Sequence, residues 1–369
     1  MVEDKLSERN LFMGNGMNKT IKRYSRTAMA QTLWLLGYYR HAIRGIRHPF
    51  ILKYHRMRPA GREVLSNQAG GEFSAGIGAR QFEAHLRLIT RWFKPIPMAE
   101  MGWAVAHKKA LPDKAVGLTF DDGYRDNYEV AYPLLKRYGV PASFFVCPGL
   151  IDSHQGFWWD EIYALVEKTT ATELDVEKLI QGSGLPSGHH NGVLPLLTGQ
   201  QKISAGESLV AQGKQMSPHM LTIFLERLNE TLGAQVDSNL QKQTLMNWDE
   251  IREMHHDGME IGSHTMTHPM LTQVSESVMR TELSEARVRL SEVLGTVPAG
   301  FVYPSGAFSA TARNIVREAG HIYACTSQSG FIGGTADQHL LPRVNVSDRG
   351  FAASARDIVL TYGKYDDRN

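Results

Sequence analysis

Strand-like and helix-like segments alternate along most of this chain. The apolar run AVGLTF at 115–120 is followed by NYEVAYPLLKRY, whose apolar residues have helical spacing and which ends at Gly139, with Pro141 beyond it. The run PASFFVCPG then has the composition of a second strand. Strands that are separated by helices pair in parallel, because each helix carries the chain back to the starting edge of the sheet. The alternation therefore predicts a parallel α/β sheet or barrel.

The alternation is interrupted between residues 152 and 243. Two segments of this region, FWWDEIYALVEKTT and SPHMLTIFLERLNETLG, have the apolar spacing of amphipathic helices, and loop-like residues separate them. Beyond residue 243 strands and helices alternate again and end in HLLPRVNV. We therefore expect one barrel domain over 49–369 with a mostly helical insertion at about 152–243, preceded by an N-terminal arm over 1–48.

The predicted arm is basic and partly amphipathic. Between Arg9 and Arg62 there are twelve Lys or Arg and no Asp or Glu, and Trp, Leu, Ile and Tyr are interleaved with them. Such a helix can lie on an anionic membrane, or it can pack on its own domain with a solvated basic face. The net charge of the whole chain is only +2, and no groove-reading or stacking motif is present. We expect no nucleic-acid partner and no obligate protein partner.

The sequence contains no apolar run long enough to cross a bilayer, and the first ten residues, MVEDKLSERN, lack the pattern of a secretory signal. We therefore expect a cytoplasmic protein, with peripheral contact at the inner membrane as the open alternative. Cys147 and Cys325 lie in separate apolar runs, which favours buried free thiols over a disulfide.

Two of the predicted strands end in side chains that can bind a metal. Asp121 and Asp122 follow one strand, and His264 and His268 follow the strand-like EIGS. Ligands collect at the carboxyl ends of parallel strands, so both clusters can face the same side, provided that the chain turns helically between the two histidines. One aspartate and two histidines make a three-ligand set with open positions, as in hydrolytic metal sites. The cation would compensate the repulsion between the adjacent carboxylates, and the second aspartate would stand beside it as a base.

The motifs TFDDG and SHTMTH together resemble those of the polysaccharide deacetylases of the NodB-homology type, carbohydrate esterase family 4. The resemblance covers about 49–350, apart from the insertion. It implies a distorted (β/α)7-type barrel, a divalent metal that is usually zinc, and hydrolysis of an N-acetyl group on a sugar. By position, Asp121 corresponds to the general base that acts on metal-bound water. Asp122, His264 and His268 correspond to the metal ligands.

Two positions depart from the family pattern. Val302, in FVYPSG, stands where the family has an arginine that holds the base, and Arg343 is the candidate replacement, with a structural ion pair as the alternative. The family's late catalytic histidine is also missing, because His339 precedes the Leu-Leu pair instead of following it. His55 ends an early strand and is the candidate general acid, since the first and last strands of a barrel are neighbours. The alternative for His55 is a hydrogen-bonded core histidine.

Several residues near these motifs are candidate substrate contacts. Aromatic faces can stack on a sugar ring, although paired tryptophans more often pin a helix to a core. Packing within the protein is the alternative role of the two tryptophans and of the tyrosine after the aspartate turn, whereas Tyr303 and Ser305 are expected to shape the wall of the site. The candidates are Tyr124, Trp158, Trp159, Tyr303 and Ser305.

Three functions remain open from the sequence. The leading hypothesis is metal-dependent removal of N-acetyl groups from an amino-sugar glycan, such as a bacterial cell-surface glycan, or from its precursor. The second is deacylation of a polyprenyl-linked or nucleotide sugar at the inner membrane face, because the arm is basic. The third is a catalytically impaired homologue that binds a glycan or a partner, because an arginine and a histidine of the family pattern are missing.

Overall fold

The computed structural model of this chain describes residues 28–59, 76–181, 192–234, 244–346 and 351–366. The first 27 residues of the predicted arm, and parts of the predicted insertion, lie outside this set.

Twelve strands are present among the described residues. They are β1 (Phe50–Tyr54), β2 (Met57–Arg58), β3 (Ile77–Gly78), β4 (Lys94–Pro95), β5 (Ala115–Phe120), β6 (Ser143–Val146), β7 (Glu173–Asp175), β8 (Val193–Pro195), β9 (Glu260–Ser263), β10 (Gly300–Val302), β11 (Tyr323–Cys325) and β12 (Val344–Asn345).

Helices connect and cover these strands. Residues 28–35 are helical. The other α-helices are Tyr38–Gly45, Ala79–Trp92, Met98–Ala106, Tyr132–Tyr138, Pro148–Ser153, Trp158–Lys168, Val176–Ile180, Gly199–Gly213, Pro218–Leu232, Trp248–His256, Glu276–Leu294, Ala310–Glu318 and Phe351–Asp366. A π-helical turn spans Asn127–Ala131, and 3-10 turns span Leu271–Gln273 and Pro304–Gly306.

The main sheet is parallel and has the order β11-β10-β9-β6-β5-β1-β12, with β4 paired to β5 outside this path. Leu341, just before β12, makes a parallel bridge to Cys325 of β11. The segment 341–345 therefore contacts both edges of the sheet, and the sheet curls into a distorted barrel. The predicted fold class is confirmed. The expected proximity of an early and a late strand is also confirmed, since β1 pairs with β12.

Alternate residues of the strands line the inside of this barrel. Ile51, Phe145 and Cys325, from three different strands, belong to one buried cluster that also contains Met98 from the helix Met98–Ala106. Gly117 leaves room for Met98, because a Cβ at that position would come within 2.2 Å of the Met98 Sδ. Since side chains alternate along a strand, the two residues that follow at the same parity, Thr119 and Asp121, also face inward at the carboxyl end of β5.

The helix after β5 begins differently from the sequence prediction. We read DNYE as a capping box that starts at Asp126. Instead, the Asp126 carboxylate accepts hydrogen bonds from the Arg56 Nε at 2.7 Å and the Met57 backbone N–H at 2.8 Å. The predicted capping box is wrong, because the Asp126 carboxylate that would cap the helix instead binds Arg56, a charged residue from another part of the chain.

The region between β6 and β9 leaves the sheet and returns to the neighbouring position. Ser143 of β6 pairs with Glu260 of β9, so the two strands are adjacent although more than a hundred residues separate them. The intervening helices pack on one another through apolar residues such as Leu165, Leu209 and Phe224, all of which are buried. Among the described residues, no helix is both long and apolar enough to cross a bilayer. Cys147 and Cys325 are buried free thiols, as predicted.

Candidate metal centre

The turn after β5 sends two successive carboxylates in different directions. Asp122 and Gly123 have φ values of 75° and 73°, in the left-handed region. A side chain at Gly123 would come within 2.9 Å of Val146, so the turn requires glycine there. Residues other than glycine are uncommon in this region, although aspartate adopts it more readily than most. The turn leaves Asp121 facing into the barrel and Asp122 facing the histidine loop, with both residues 2% exposed.

Asp122, His264 and His268 form a compact group that could hold a metal ion, with one ligand atom from each within 4.8 Å of the others. The Asp122 Oδ1 lies 3.4 Å from the His264 Nε2 and 3.5 Å from the His268 Nε2. The His264 Nδ1 lies 2.7 Å from the Val302 carbonyl oxygen, which selects the tautomer that leaves Nε2 free to bind a metal.

Two properties of this group fit a bound cation. The Asp122 Oδ2 is buried without a hydrogen-bond partner, and a buried carboxylate oxygen without a donor is costly. Burial lowers the pKa of His268 to about 3, so its ring is neutral, which is the form that binds metals. Burial also opposes the charge of Asp122, but the adjacent histidines lower the pKa of its carboxyl below the ordinary value.

The two histidines meet through an irregular loop and not through the helical turn that we expected. Thr265 and His268 have φ values of 66° and 65°. The His268 N–H donates to the Thr265 Oγ1 at 3.0 Å. The side chain of Glu282, on the helix Glu276–Leu294, accepts hydrogen bonds from the backbone N–H groups of Met266 and Thr267, both at 2.8 Å. Sequence reasoning missed Glu282, because nothing in its local pattern distinguishes it from other helix-surface glutamates.

An aromatic layer packs behind the second histidine. The ring of Trp159 lies 4.9 Å from the ring of His268, edge to face. The Trp159 Nε1–H donates to the Tyr124 hydroxyl at 2.8 Å, and that hydroxyl donates to the Asp160 carboxylate at 3.0 Å. Tyr124 is fully buried, and the Arg56 guanidinium lies 4.1 Å from its ring centroid. Tyr124 and Trp159 therefore support the site from behind.

Asp121 lies in a buried ion pair with Arg343. The Arg343 Nη1 and Nη2 donate to the two Asp121 carboxylate oxygens, each at 2.7 Å. The Arg343 Nε donates to the Thr326 carbonyl at 2.8 Å, which orients the guanidinium. Burial alone would raise the pKa of the Asp121 carboxyl, but the Arg343 charge and its hydrogen bonds hold that pKa well below its usual range. Among the two roles considered for Arg343, the structure shows a buried ion pair, and its partner is the Asp121 carboxylate.

His55 lies on the other side of the same carboxylate. Its Nε2 is 3.6 Å from the Asp121 Oδ2, and 10% of its side chain is exposed. Burial lowers the pKa of His55 below its ordinary value, although the Asp121 and Asp122 carboxylates act in the opposite direction. The structure therefore brings together six of the predicted site residues, which are His55, Asp121, Asp122, His264, His268 and Arg343.

The remaining candidates lie elsewhere. The His339 Nε2 lies 2.9 Å from the His321 carbonyl oxygen, just before β11 begins and therefore at the opposite end of the parallel strands. The Tyr303 hydroxyl donates to the His339 carbonyl at 3.0 Å, and its ring is buried beside Phe301. Trp158 is half-buried against Trp159.

Ser305 differs from these residues. It is exposed on the 3-10 turn Pro304–Gly306, which directly follows β10 at the carboxyl end of the strands, and its φ is 55°. Of the substrate-contact candidates, Ser305 is therefore exposed at the same end of the barrel as the metal-ligand group.

Comparison with known proteins places this chain beside polysaccharide deacetylases. Residues 108–176 and 217–324 match the sequence model of the family described as polysaccharide deacetylase. YxkH of Bacillus subtilis, which is named as a polysaccharide deacetylase, is 38% identical over 74 residues, 20% of this chain and 26% of that protein. A poly-β-1,6-N-acetyl-D-glucosamine N-deacetylase of Staphylococcus aureus is 31% identical over 105 residues, 27% of this chain and 35% of that protein. The matches thus span about a quarter to a third of these relatives.

A solved structure supports the fold. The Streptococcus pyogenes deacetylase PplD, determined in complex with acetate, aligns with a TM-score of 0.55 and 19% identity, covering 86% of this chain and 98% of that chain. The family match contains Asp121, Asp122, His264 and His268, whereas His55 and Arg343 lie outside it.

Proposed function

We propose that this chain, which belongs to the polysaccharide deacetylase family, removes N-acetyl groups from an amino sugar in a glycan or a glycan precursor. The observation that carries the proposal is that two adjacent carboxylates have different partners. Asp121 is paired with a buried arginine, and Asp122 lies against two histidines. Relatives named as poly-β-1,6-N-acetyl-D-glucosamine N-deacetylases support an N-acetylglucosamine unit as the reacting sugar.

Asp122, His264 and His268 would hold a divalent cation, and Zn²⁺ is our first choice because two imidazoles and a carboxylate are among its usual ligands. When bound, the cation polarises the acetamide carbonyl and lowers the pKa of a water molecule. The carboxylate oxygen of Asp122 that lacks a donor supports this role.

Asp121 would act as the general base. It would accept a proton from the attacking water at a carboxylate oxygen, and Arg343 would be a positioning residue that keeps the carboxylate ionised and aimed into the cleft. The oxygen of the water forms the new bond to the acetyl carbon as the bond between that carbon and the sugar nitrogen breaks. His55, whose Nε2 is 3.6 Å from the Asp121 Oδ2, would take that proton from Asp121 and deliver it to the departing nitrogen as the general acid. The products are acetate and a free amino sugar.

The other candidates take different roles in this proposal. Tyr124 and Trp159 would support His268, because both are buried and joined by a hydrogen bond. Ser305 would remain a substrate contact, because it is exposed at the carboxyl end of β10. We also keep residues 152–243 as an insertion, and the family match is interrupted within this range, between 176 and 217.

A lipid-linked amino sugar at the cytoplasmic face of the inner membrane is the second candidate substrate. It is favoured by the exposed Leu35 and Leu36, which lie in a segment rich in arginine.

Acetate release tests the proposal directly. The purified chain is incubated with chitooligosaccharides, nucleotide sugars and polyprenyl-linked N-acetylhexosamines, each with Zn²⁺, with chelator, and with chelator followed by excess Zn²⁺. We expect release from at least one substrate class, its loss with chelator, and its return with metal. Stoichiometric metal binding without release from any substrate would contradict the proposed activity and favour a homologue that binds without turnover.

A further inference from the structure

Exposed apolar side chains cluster where the N-terminal helical segment bends. Leu35 and Leu36 are each 75% exposed, Tyr38 is 58% exposed, and Met29, seven residues before Leu36, is 53% exposed. Single exposed apolar residues are ordinary on a protein surface, but four within ten residues form a patch. We refer to Met29, Leu35, Leu36 and Tyr38 as the arm patch.

The helix that carries Tyr38 of the arm patch packs against the rest of the protein. Tyr39 and Ile43 are buried, and the helix Tyr38–Gly45 that carries them packs on the helix Phe351–Asp366. Gly37 has a φ of 82°, which breaks the helix just before Tyr38. The buried face of this helix is therefore already occupied, and the four side chains of the arm patch are left exposed.

Cationic side chains follow the arm patch along the chain, on the helix Tyr38–Gly45 and just beyond it. Arg40 and Arg44 are exposed on the same helix, and the Arg40 guanidinium lies 5.4 Å from the ring centroid of Trp34. Arg47 is 66% exposed and lies 3.3 Å from Asp113, an acid from a distant part of the chain. The segment from Arg9 to Arg62 itself contains no acidic residue. The surface therefore combines protruding apolar groups with positive charge.

We propose that the arm patch binds an anionic lipid bilayer. Leu35, Leu36 and Tyr38 would enter the headgroup layer, and Arg40 and Arg44 would face the lipid phosphates. Charge complementarity points to an anionic surface, and the protruding leucine pair distinguishes a bilayer from a nucleic acid, which would leave leucines in water. The proposal does not depend on the deacetylase activity. If both hold, the arm would bring the candidate site to membrane-borne substrates.

Vesicle co-sedimentation of the full chain tests this proposal. Vesicles of phosphatidylglycerol and phosphatidylcholine in equal parts are compared with vesicles of phosphatidylcholine alone, at low and high salt. We expect binding to the anionic vesicles, and weakening of that binding by salt. The double variant L35E/L36E should bind more than about tenfold more weakly. Its matched control is V288E/V297E, which changes two valines that are 57% and 58% exposed elsewhere on the surface.

A second pair of variants tests the charge. R40Q/R44Q should weaken binding by about fivefold for each charge removed, because a basic residue near an anionic surface contributes about 1 kcal/mol. Its control, K178Q/R252Q, removes two cations that are 82% and 51% exposed far from the arm in sequence. Circular dichroism melts show that each variant is folded, and release of acetate from a water-soluble substrate should be equal in all of them.

Several results would overturn the proposal. One is that the folded native chain does not bind anionic vesicles. Another is that L35E/L36E binds them as tightly as its control does. Binding to heparin or a polynucleotide that survives the leucine changes would identify a polyanion site instead. The native chain could form a dimer and bind no lipid, and the L35E/L36E changes could dissociate that dimer. This result would show that a second copy of the chain covers the arm patch. Absence of deacetylase activity with intact vesicle binding would contradict only the proposed function.

Discussion

The two halves of the candidate site are built in different ways. Asp122, His264 and His268 come from two short motifs, each directly after one strand, and all three are held by local loops with left-handed residues. Asp121 instead depends on Arg343, which lies 222 residues away in the sequence and reaches it because the barrel closes. We conclude that local motifs determine where a metal can bind, whereas barrel closure determines the charge state of Asp121, the proposed base.

Replacing His55 should lower turnover strongly and leave metal binding intact. Glutamine keeps a polar side chain of similar length but cannot deliver a proton, so we expect His55→Gln to lower kcat by a factor of about 10²–10⁴. Metal affinity should not change, because His55 is not part of the group Asp122, His264 and His268. The control is His339→Gln, at the opposite end of the strands. Equal losses in the two variants would remove His55 from the mechanism.

Breaking the buried ion pair should lower stability strongly. Arg343→Met leaves the Asp121 carboxylate buried without its partner, and we expect a loss of about 3–5 kcal/mol in the free energy of unfolding. Arg289 and Asp152 provide the matched control, because they form a similar two-contact pair at 2.8 Å but each side chain is 35% exposed. Arg289→Met should cost less than about 1 kcal/mol. Urea unfolding of both variants measures the difference, and similar losses would show that burial of the Asp121 pair is unimportant.

Arg343→Met should also change how the stability of the fold depends on pH. In the native chain, Arg343 holds the pKa of Asp121 below its ordinary value. The pair therefore stabilises the fold above the ordinary pKa of an unfolded aspartate and loses that effect only as pH falls through the lower folded pKa. In Arg343→Met, burial raises the pKa of Asp121, so the folded variant takes up a proton more readily. The stability gap between the two proteins should be widest at neutral pH and narrow as pH falls.

Replacing Glu282 should have a smaller effect, which is confined to the affinity of the candidate metal site. Glu282→Ala removes the acceptor for the backbone of Met266 and Thr267, so the strained loop can relax and we expect metal to bind about tenfold more weakly. Glu282→Gln keeps one carbonyl acceptor and should retain most of the affinity. Glu285→Ala, an exposed change on the same helix, is the control. Competition with a chromogenic chelator measures the metal affinity. An unchanged metal affinity in Glu282→Ala would mean that the loop keeps its shape without Glu282.

Part of the fold and part of the site could be predicted from the sequence. Strand–helix alternation predicted a parallel sheet or barrel, and the family resemblance of the two motifs narrowed this to a distorted barrel. The positions of Asp122 and His264 after two such strands were enough to place them at one end of the sheet. These inferences succeeded because they depend on periodicity and on strand direction, which are local properties.

The rest of the site depends on tertiary partners. Asp126 appeared to be a helix cap, but Arg56 binds its carboxylate. Tyr124 lies next to the aspartate turn in sequence, yet it is buried under Arg56 and bonded to Trp159. Arg343 had two open roles until the position of β12 beside β1 was known. In each case the competing partner lies far away along the chain, where a local pattern carries no information.

Asp121 and Asp122 are adjacent in the sequence, but we expect them to act in separate halves of the site. Metal affinity and acetate release should therefore be measured together for Asp121→Asn and Asp122→Asn. We expect Asp121→Asn to bind metal as the native chain does and to release no acetate, whereas Asp122→Asn should lose both. Loss of metal binding to the same extent in both variants, or acetate release by Asp121→Asn at the native rate, would contradict it.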